Sequence, residues 1–118
     1  METKSQTFVQ IDELKNIYLV NLNNTNKINI LNSSTMESSI TRLLQKADKS
    51  IFIDLKNIQF IDSTGFKILT KLNIIAIINN VKMVFYNLNK DVFELIDLLG
   101  LFNEFAILDR FPNLRIAS

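Results

Sequence analysis

The sequence predicts an α/β fold, a mixed central β-sheet with helices packed on it. Three observations predict it. Short runs of β-branched and aromatic residues recur, as in Ile51-Phe52-Ile53 and Met83-Val84-Phe85-Tyr86. Between the later runs lie segments of helical length with apolar residues at helical spacing. Capping residues mark the boundaries, so strand and helix alternate, the pattern of a sheet with parallel pairs in its centre.

The elements follow in order. Residues 8–11 and 17–22 have strand composition, with residues 12–16 as the turn between them. Residues 28–30 add a short strand. A helix then begins at Ser34, because Ser34-Thr35-Met36-Glu37 is a capping box. In that box the serine hydroxyl accepts from the backbone three residues on, while the glutamate reaches back to the cap. Ile40, Leu43, Leu44 and Ala47 follow at i, i+3, i+4 and i+7, one buried face. Residues 50–55 read as a central buried strand, 63–79 as a second helix and 82–88 as the next strand. A third helix over residues 91–99 takes its cap from Asn89 or Asp91 and ends at Gly100 in the left-handed conformation. Residues 105–108 form a last strand. Phe8, Phe52, Phe85, Phe93 and Phe105 are assigned to the core.

Composition narrows the chemistry. The 118 residues are 47% hydrophobic and 21% charged, enough to build one soluble domain without a disulfide or a metal. With Cys 0 and His 0, thiol nucleophiles, imidazole bases, Ser-His-Asp triads and Cys/His zinc sites are excluded. Gly65 and Gly100 are the two glycines, too few for the glycine-rich loops that cradle dinucleotides or nucleoside triphosphates. A net charge of +1 does not suit an electrostatic nucleic-acid binder. Residues 1–10 are polar and hold no signal-peptide core. The most apolar stretch, residues 72–78, is interrupted by Asn73 and is far too short to span a bilayer. The expectation is a cytoplasmic soluble protein with no membrane span, direct nucleic-acid partner, cofactor or metal.

The densest punctuation is Phe60-Ile61-Asp62-Ser63-Thr64-Gly65-Phe66. Asp62 or Ser63 caps the following helix, which puts the Ser63 hydroxyl at the positive end of its dipole. By physics alone this is first a capping motif. An exposed serine among backbone N–H donors is also where a phosphate is tolerated, since the free donors and the dipole offset its charge. Two catalytic readings fail. Ser63 and Lys67 lack the Ser-x-x-Lys spacing of a nucleophile pair. Asp54 and Asp62 lack the acidic pair that a magnesium-dependent receiver domain carries after its first strand, because Tyr18-Leu19-Val20-Asn21-Leu22 supplies none. Asp54 is instead read as ending a strand, and Asp62 as orienting the Ser63 loop.

The run Asp54-Leu55-Lys56-Asn57-Ile58-Gln59-Phe60-Ile61-Asp62-Ser63-Thr64-Gly65-Phe66 resembles the central signature of the STAS domain, the family of bacterial anti-sigma factor antagonists. Val92-Phe93-Glu94-Leu95-Ile96-Asp97-Leu98-Leu99-Gly100-Leu101-Phe102 is similar to that family's third-helix ending. The order of elements agrees over about residues 8–109, within a single domain of residues 1–118. The resemblance implies a STAS fold and a partner-switching protein that is not itself an enzyme. In that family the serine matching Ser63 is phosphorylated by an anti-sigma factor that is also a serine kinase. The unphosphorylated form binds that kinase, and a PP2C-type phosphatase resets the switch. Asp62 is implied in partner recognition, and Thr64 is an alternative phosphate acceptor. Lys67 departs from the family's small residue at that position. Asn23-Asn24-Thr25-Asn26 and Asn79-Asn80-Val81 replace turns that usually contain glycine, and asparagine is the next-best residue for left-handed positions.

On the second helix, Lys67, Lys71, Ile74 and Ile78 form one stripe, with Phe66, Leu69, Leu72 and Ala76 turned toward the sheet. The stripe is either a solvated face or, as the resemblance implies, a docking surface. Gly65 is expected to let the helix start close to the partner. The reading is an anti-sigma factor antagonist switched at Ser63, a monomer or weak dimer. The alternatives are a non-phosphorylated scaffold or regulatory subunit of a transport complex and, third, a small-nucleotide-binding module.

Overall fold

The computed structural model describes residues 8–108; the expected core limit at residue 109 and most of the polar N-terminal stretch lie outside them. In chain order the elements are β1 (Val9–Glu13), β2 (Ile17–Leu22), β3 (Lys27–Ile28), α1 (Ser33–Leu44), β4 (Ser50–Asp54), β5 (Phe60–Ile61), α2 (Ser63–Ile78), β6 (Met83–Tyr86), α3 (Lys90–Leu98) and β7 (Ala106–Leu108). Five strands form one sheet in the order β1-β2-β4-β6-β7, with β1 antiparallel to β2 and the other pairs parallel. Each parallel step is bridged by a helix, as a parallel connection requires. The predicted α/β class with a mixed central sheet is the observed one.

Alternation along the strands sorts the core into two layers. Tyr18, Val20, Leu22, Ile51, Ile53, Met83 and Phe85 share one cluster with the buried faces of all three helices. Ile17, Phe52, Val84 and Tyr86 form a second cluster from the alternate positions, with the Phe52 and Tyr86 rings edge-to-face at 5.9 Å. A period of two residues puts neighbouring side chains on opposite faces, so both faces of the central strands are apolar. Helix α2 depends on packing more than on propensity, because Ile68, Ile74, Ile75, Ile77 and Ile78 are weak helix formers. Its Leu69, Leu72 and Ala76 are buried against the core, and each buried leucine contributes about 2 kcal/mol.

Several boundaries differ from expectation. Asp12 and Glu13, assigned to a turn, extend β1 by pairing with Leu19 and Tyr18. The short strand over residues 28–30 is instead Lys27–Ile28, and it pairs with β5 rather than joining the main sheet. Helix α1 starts at Ser33 with Asn32 as its cap residue, so the capping box at Ser34 does not form. Glu37 reaches Lys71 on α2 at 2.6 Å instead of folding back. Phe93 is 41% exposed and meets the Phe102 ring at a tilt, with centroids 4.8 Å apart, whereas Phe52, Phe85 and Phe105 are buried. The buried stripe holds for Ile40, Leu43 and Leu44, but α1 ends at Leu44, so Ala47 lies beyond the helix and is only partly buried. The left-handed positions fall on Asn24, Asn80, Asn87 and Gly100.

Candidate functional site

The Ser63 loop is built on the β3–β5 pair. Lys27 lies opposite Phe60 and Ile28 opposite Ile61, and the Asp62 N–H donates to Ile28 O at 3.0 Å. This fixes Asp62 in extended backbone one residue before α2. Its Oδ1 accepts from Gly65 N at 2.7 Å, the forward bond of an N-cap, and its Oδ2 accepts from Ile30 N at 3.1 Å. One carboxylate therefore starts the helix and holds the β3–α1 loop against it. Of the two candidate caps, the aspartate does the capping.

Ser63 is thereby released for other contacts. It is exposed at the first position of α2, and its hydroxyl has no hydrogen-bond partner among the described residues. Gly65 and Phe66 donate to Asp62, which leaves the N–H groups of Ser63 and Thr64 as open donors at the positive end of the helix. Thr64 is half-buried. Lys67 is exposed one turn on and carries no ion pair among the described residues, while Lys71 is tied to Glu37.

Gly65 has a role other than the expected one. It is buried, and an added Cβ would lie 2.8 Å from Ile28 O and 2.8 Å from the Ile61 side chain. Its lack of a side chain lets α2 close on the β3–β5 pair inside the domain, rather than bringing the helix near a partner.

A second layer steadies the loop from below. Asp54, buried at the end of β4, accepts from Lys56 N at 2.9 Å and from Asn87 Nδ2 at 3.4 Å. It also takes a hydrogen bond from the Tyr86 hydroxyl; burial, reinforced by this carboxylate, holds that phenol well above its ordinary pKa. Asn89 caps α3 through Val92 N at 3.1 Å and donates to Ile58 O, clamping the 55–59 loop to that helix. Asp54 and Asp62 thus serve separate backbone tasks, and no three acidic groups converge on a metal-sized site among the described residues. No helix among the described residues is long and apolar enough to cross a membrane.

Asp62, Ser63, Thr64 and Lys67 are brought together at the start of α2. Ile74 and Ile78 share the exposed stripe but sit about 16 and 22 Å along the helix from Ser63. They are 52% and 75% exposed, and Ile77 widens the apolar end. Sequence reasoning missed Ile30, Leu31 and Phe60, all large, apolar and exposed in the segments that hold Asp62. The signal for the first two was an apolar pair inside an asparagine-rich turn, where burial has nothing to recruit it.

The profile of the STAS domain matches residues 8–116. No curated protein matches the sequence significantly. Among solved structures, a Thermotoga maritima protein described as an anti-sigma factor antagonist superposes with a TM-score of 0.77 at 18% identity, covering 92% of each chain. The phosphorylated form of the Bacillus cell-fate determinant SpoIIAA gives 0.68 at 14% identity, over 92% of this chain and 96% of that one. The murine anion transporter Slc26a9 gives 0.70 at 18% identity, over 85% of this chain but 17% of the transporter. With all the described residues inside the matched span, the chain belongs to the STAS domain family.

Proposed function

We propose that this chain is a single-domain anti-sigma factor antagonist in a partner-switching pathway, acting in the cytoplasm and without enzymatic activity of its own. It binds an anti-sigma factor that is also a serine kinase and is released when Ser63 is phosphorylated; a PP2C-type phosphatase restores the binding form. The observation that carries this is the division of labour at the start of α2. Asp62 takes the capping bond, so the Ser63 hydroxyl is exposed and, among the described residues, unengaged beside two open N–H donors. A phosphate there adds about −1.5 to −2 charges on a surface flanked by exposed Ile30, Leu31 and Phe60. A partner that covers those apolar side chains has to desolvate that charge, which favours release.

The partner-facing residues in this reading are Asp62, Ser63, Thr64, Lys67, Lys71, Ile74 and Ile78, with Ile30, Leu31 and Phe60 beside them. The test is incubation with the cognate serine kinase and ATP, followed by mass spectrometry. Phosphate on Ser63, with loss of kinase binding in the modified form, is expected. Phosphate on Thr64 alone moves the switch by one residue, and no phosphate with retained kinase binding removes it. The double substitution Ile74→Ser and Ile78→Ser should weaken binding by about tenfold while the fold persists, since both side chains are exposed. The superposition on part of an anion transporter favours a second reading, a non-phosphorylated subunit docked to a transport complex. Binding to a transporter component by the Ser63→Ala variant, with no kinase activity toward the wild type, separates the two.

A further inference from the structure

A groove of about 370 Å³ runs between the segment of residues 59–60 and the outer side of α3. Asp91, Glu94, Leu95 and Leu98 line it from the helix at i, i+3, i+4 and i+7, the spacing of one helical face. Val92 and Ile96 turn the other way, into the core. Gln59 and Phe60 form the facing wall, and Asn89 fixes the two walls to each other by capping α3 and donating to Ile58 O. The surface that the groove offers to solvent is mostly apolar: Phe60 is 50% exposed, Leu98 82%, and Leu99 beyond it 53%. Asp91 and Glu94 are exposed and have no ion-pair partner among the described residues. Two nearby cations, Lys90 beside Asp91 and Lys27 opposite Phe60, do not line the groove.

We infer that this groove docks an amphipathic helix of a partner protein, one that sets lysine or arginine side chains beside leucine-sized apolar ones. The cations are called for by Asp91 and Glu94, two uncompensated carboxylates on one face of α3. Asp91 also complements the positive end of its own helix, so Glu94 is the less compensated of the two. The apolar side chains are called for by Phe60 and Leu98, which stand exposed on opposite walls. A small molecule confined to the groove would leave most of Leu98 and all of Leu99 in water, whereas a helix laid along α3 covers both. Phe60 also borders the Ser63 loop, but the carboxylates and the leucines belong to α3. Docking here needs neither Ser63 nor a phosphate on it.

The test is titration of the full chain with the model helix acetyl-LKKLLKLLKKLLKL-amide, followed by ¹⁵N–¹H NMR. Saturable shifts of the Phe60, Glu94, Leu95 and Leu98 amides are expected, weakening as salt is raised. A peptide with glutamate in place of every lysine should not bind, and one with the same residues in scrambled order should bind more weakly. The double substitution Asp91→Asn and Glu94→Gln should weaken the lysine peptide about tenfold, the sum of two exposed charge pairs. Leu98→Ser should weaken it severalfold. All three side chains are exposed, so the variants should keep the wild-type amide spectrum away from the substituted sites. The double reversal Asp91→Lys and Glu94→Lys should lose the lysine peptide and gain the glutamate one, which general stickiness cannot produce. The Ser63→Ala variant should bind as the wild type does. Wild-type affinity in the Asp91→Asn, Glu94→Gln protein overturns the inference, and so do shifts confined to Ile74, Ile77 and Ile78, which mark adsorption elsewhere. Groove shifts that appear on concentrating the chain without peptide would assign the groove to a second copy instead.

Discussion

Helices α1 and α2 both begin beside the β3–β5 pair, and their first residues are braced in opposite directions. At α1 the Asn32 side chain faces back into its own loop, accepting from Asn29 N at 2.9 Å and donating to Lys27 O at 2.9 Å. It gives the helix no capping bond, and Ser33 behind it is buried. At α2 the Asp62 side chain faces forward to Gly65 N and sideways to Ile30 N, and Ser63 behind it is exposed. Both starts follow two-residue strands, yet one buries its serine and the other presents it. The cap residue decides which: a carboxylate with two acceptor oxygens holds the helix and the neighbouring loop together, whereas the asparagine amide is spent on closing a turn.

The largest effect should come from Gly65. In an ordinary helix Gly→Ala is stabilising by about 1 kcal/mol. Here the new Cβ meets a backbone carbonyl at 2.8 Å, so Gly65→Ala should instead destabilise by about 2–3 kcal/mol, read as a lower urea midpoint with unchanged slope. A stabilised variant would mean that α2 does not close on Ile28 as described, and the contrast with α1 would lose its geometric cause.

Next in size is Asp62→Ala, which removes the cap and the Ile30 bond together and should cost about 1–2 kcal/mol. Ser34→Ala, at the position where the pattern Ser34-Thr35-Met36-Glu37 suggested a cap, should stay within about 0.5 kcal/mol because Ser34 is exposed and makes no capping bond. Equal costs in the two variants would erase the asymmetry.

That pair of substitutions also shows how far the sequence could be read. The strands of the main sheet, the three helices and the start of α2 at Asp62 or Ser63 were legible because each rests on local periodicity or on one residue meeting a backbone group three positions away. The two-residue β5 was not read as a strand. The Ser34 box had the same local form and failed, since the Asn29–Asn32 turn and the Glu37–Lys71 contact compete from outside the motif. Phe93 followed the hydrophobicity of its residue type, but it falls on an outer face of α3 where Phe102 covers only part of it. The role of Gly65 depends on Ile28, far away in the chain, and no spacing rule announces that approach. The exposed Ile30, Leu31 and Phe60 were hidden because apolar residues in a sequence read as core by default.

The segment leading into α2 has a buried brace, the Asp54–Tyr86 contact at the end of β4, and it should show in the pH dependence. The folded state raises the Tyr86 pKa above its ordinary 10.0, so the native chain keeps a proton that the unfolded chain loses. Stability contributed by this group is full below about pH 10 and falls as pH rises above it, by at most about 1.4 kcal/mol per pH unit. Tyr86→Phe should cost about 1 kcal/mol at neutral pH and flatten this alkaline loss, leaving the shallower contribution of Tyr18, also raised by burial. Denaturation midpoints at pH 8 and pH 11 check both signs.

The smallest effect separates the two lysines on the exposed stripe of α2. Lys71 is committed to Glu37 and so ties α2 to α1, whereas Lys67 carries no ion pair among the described residues and stands one turn from Ser63. Once Ser63 carries a phosphate, Lys67 becomes the nearest uncommitted cation on its own helix. The pair is exposed and screened, so it should stabilise the phosphorylated form by no more than about 0.5 kcal/mol at low salt and contribute almost nothing at high salt. Lys67→Gln should therefore lower the melting temperature of the phosphorylated protein slightly at low salt, leaving the unphosphorylated protein unchanged. Lys71→Gln should lower both forms equally, since its partner is on α1. An equal effect of Lys67→Gln on both forms would show that the phosphate is held by the Ser63 and Thr64 N–H groups alone, and that the departure at Lys67 acts on the partner rather than on the phosphate.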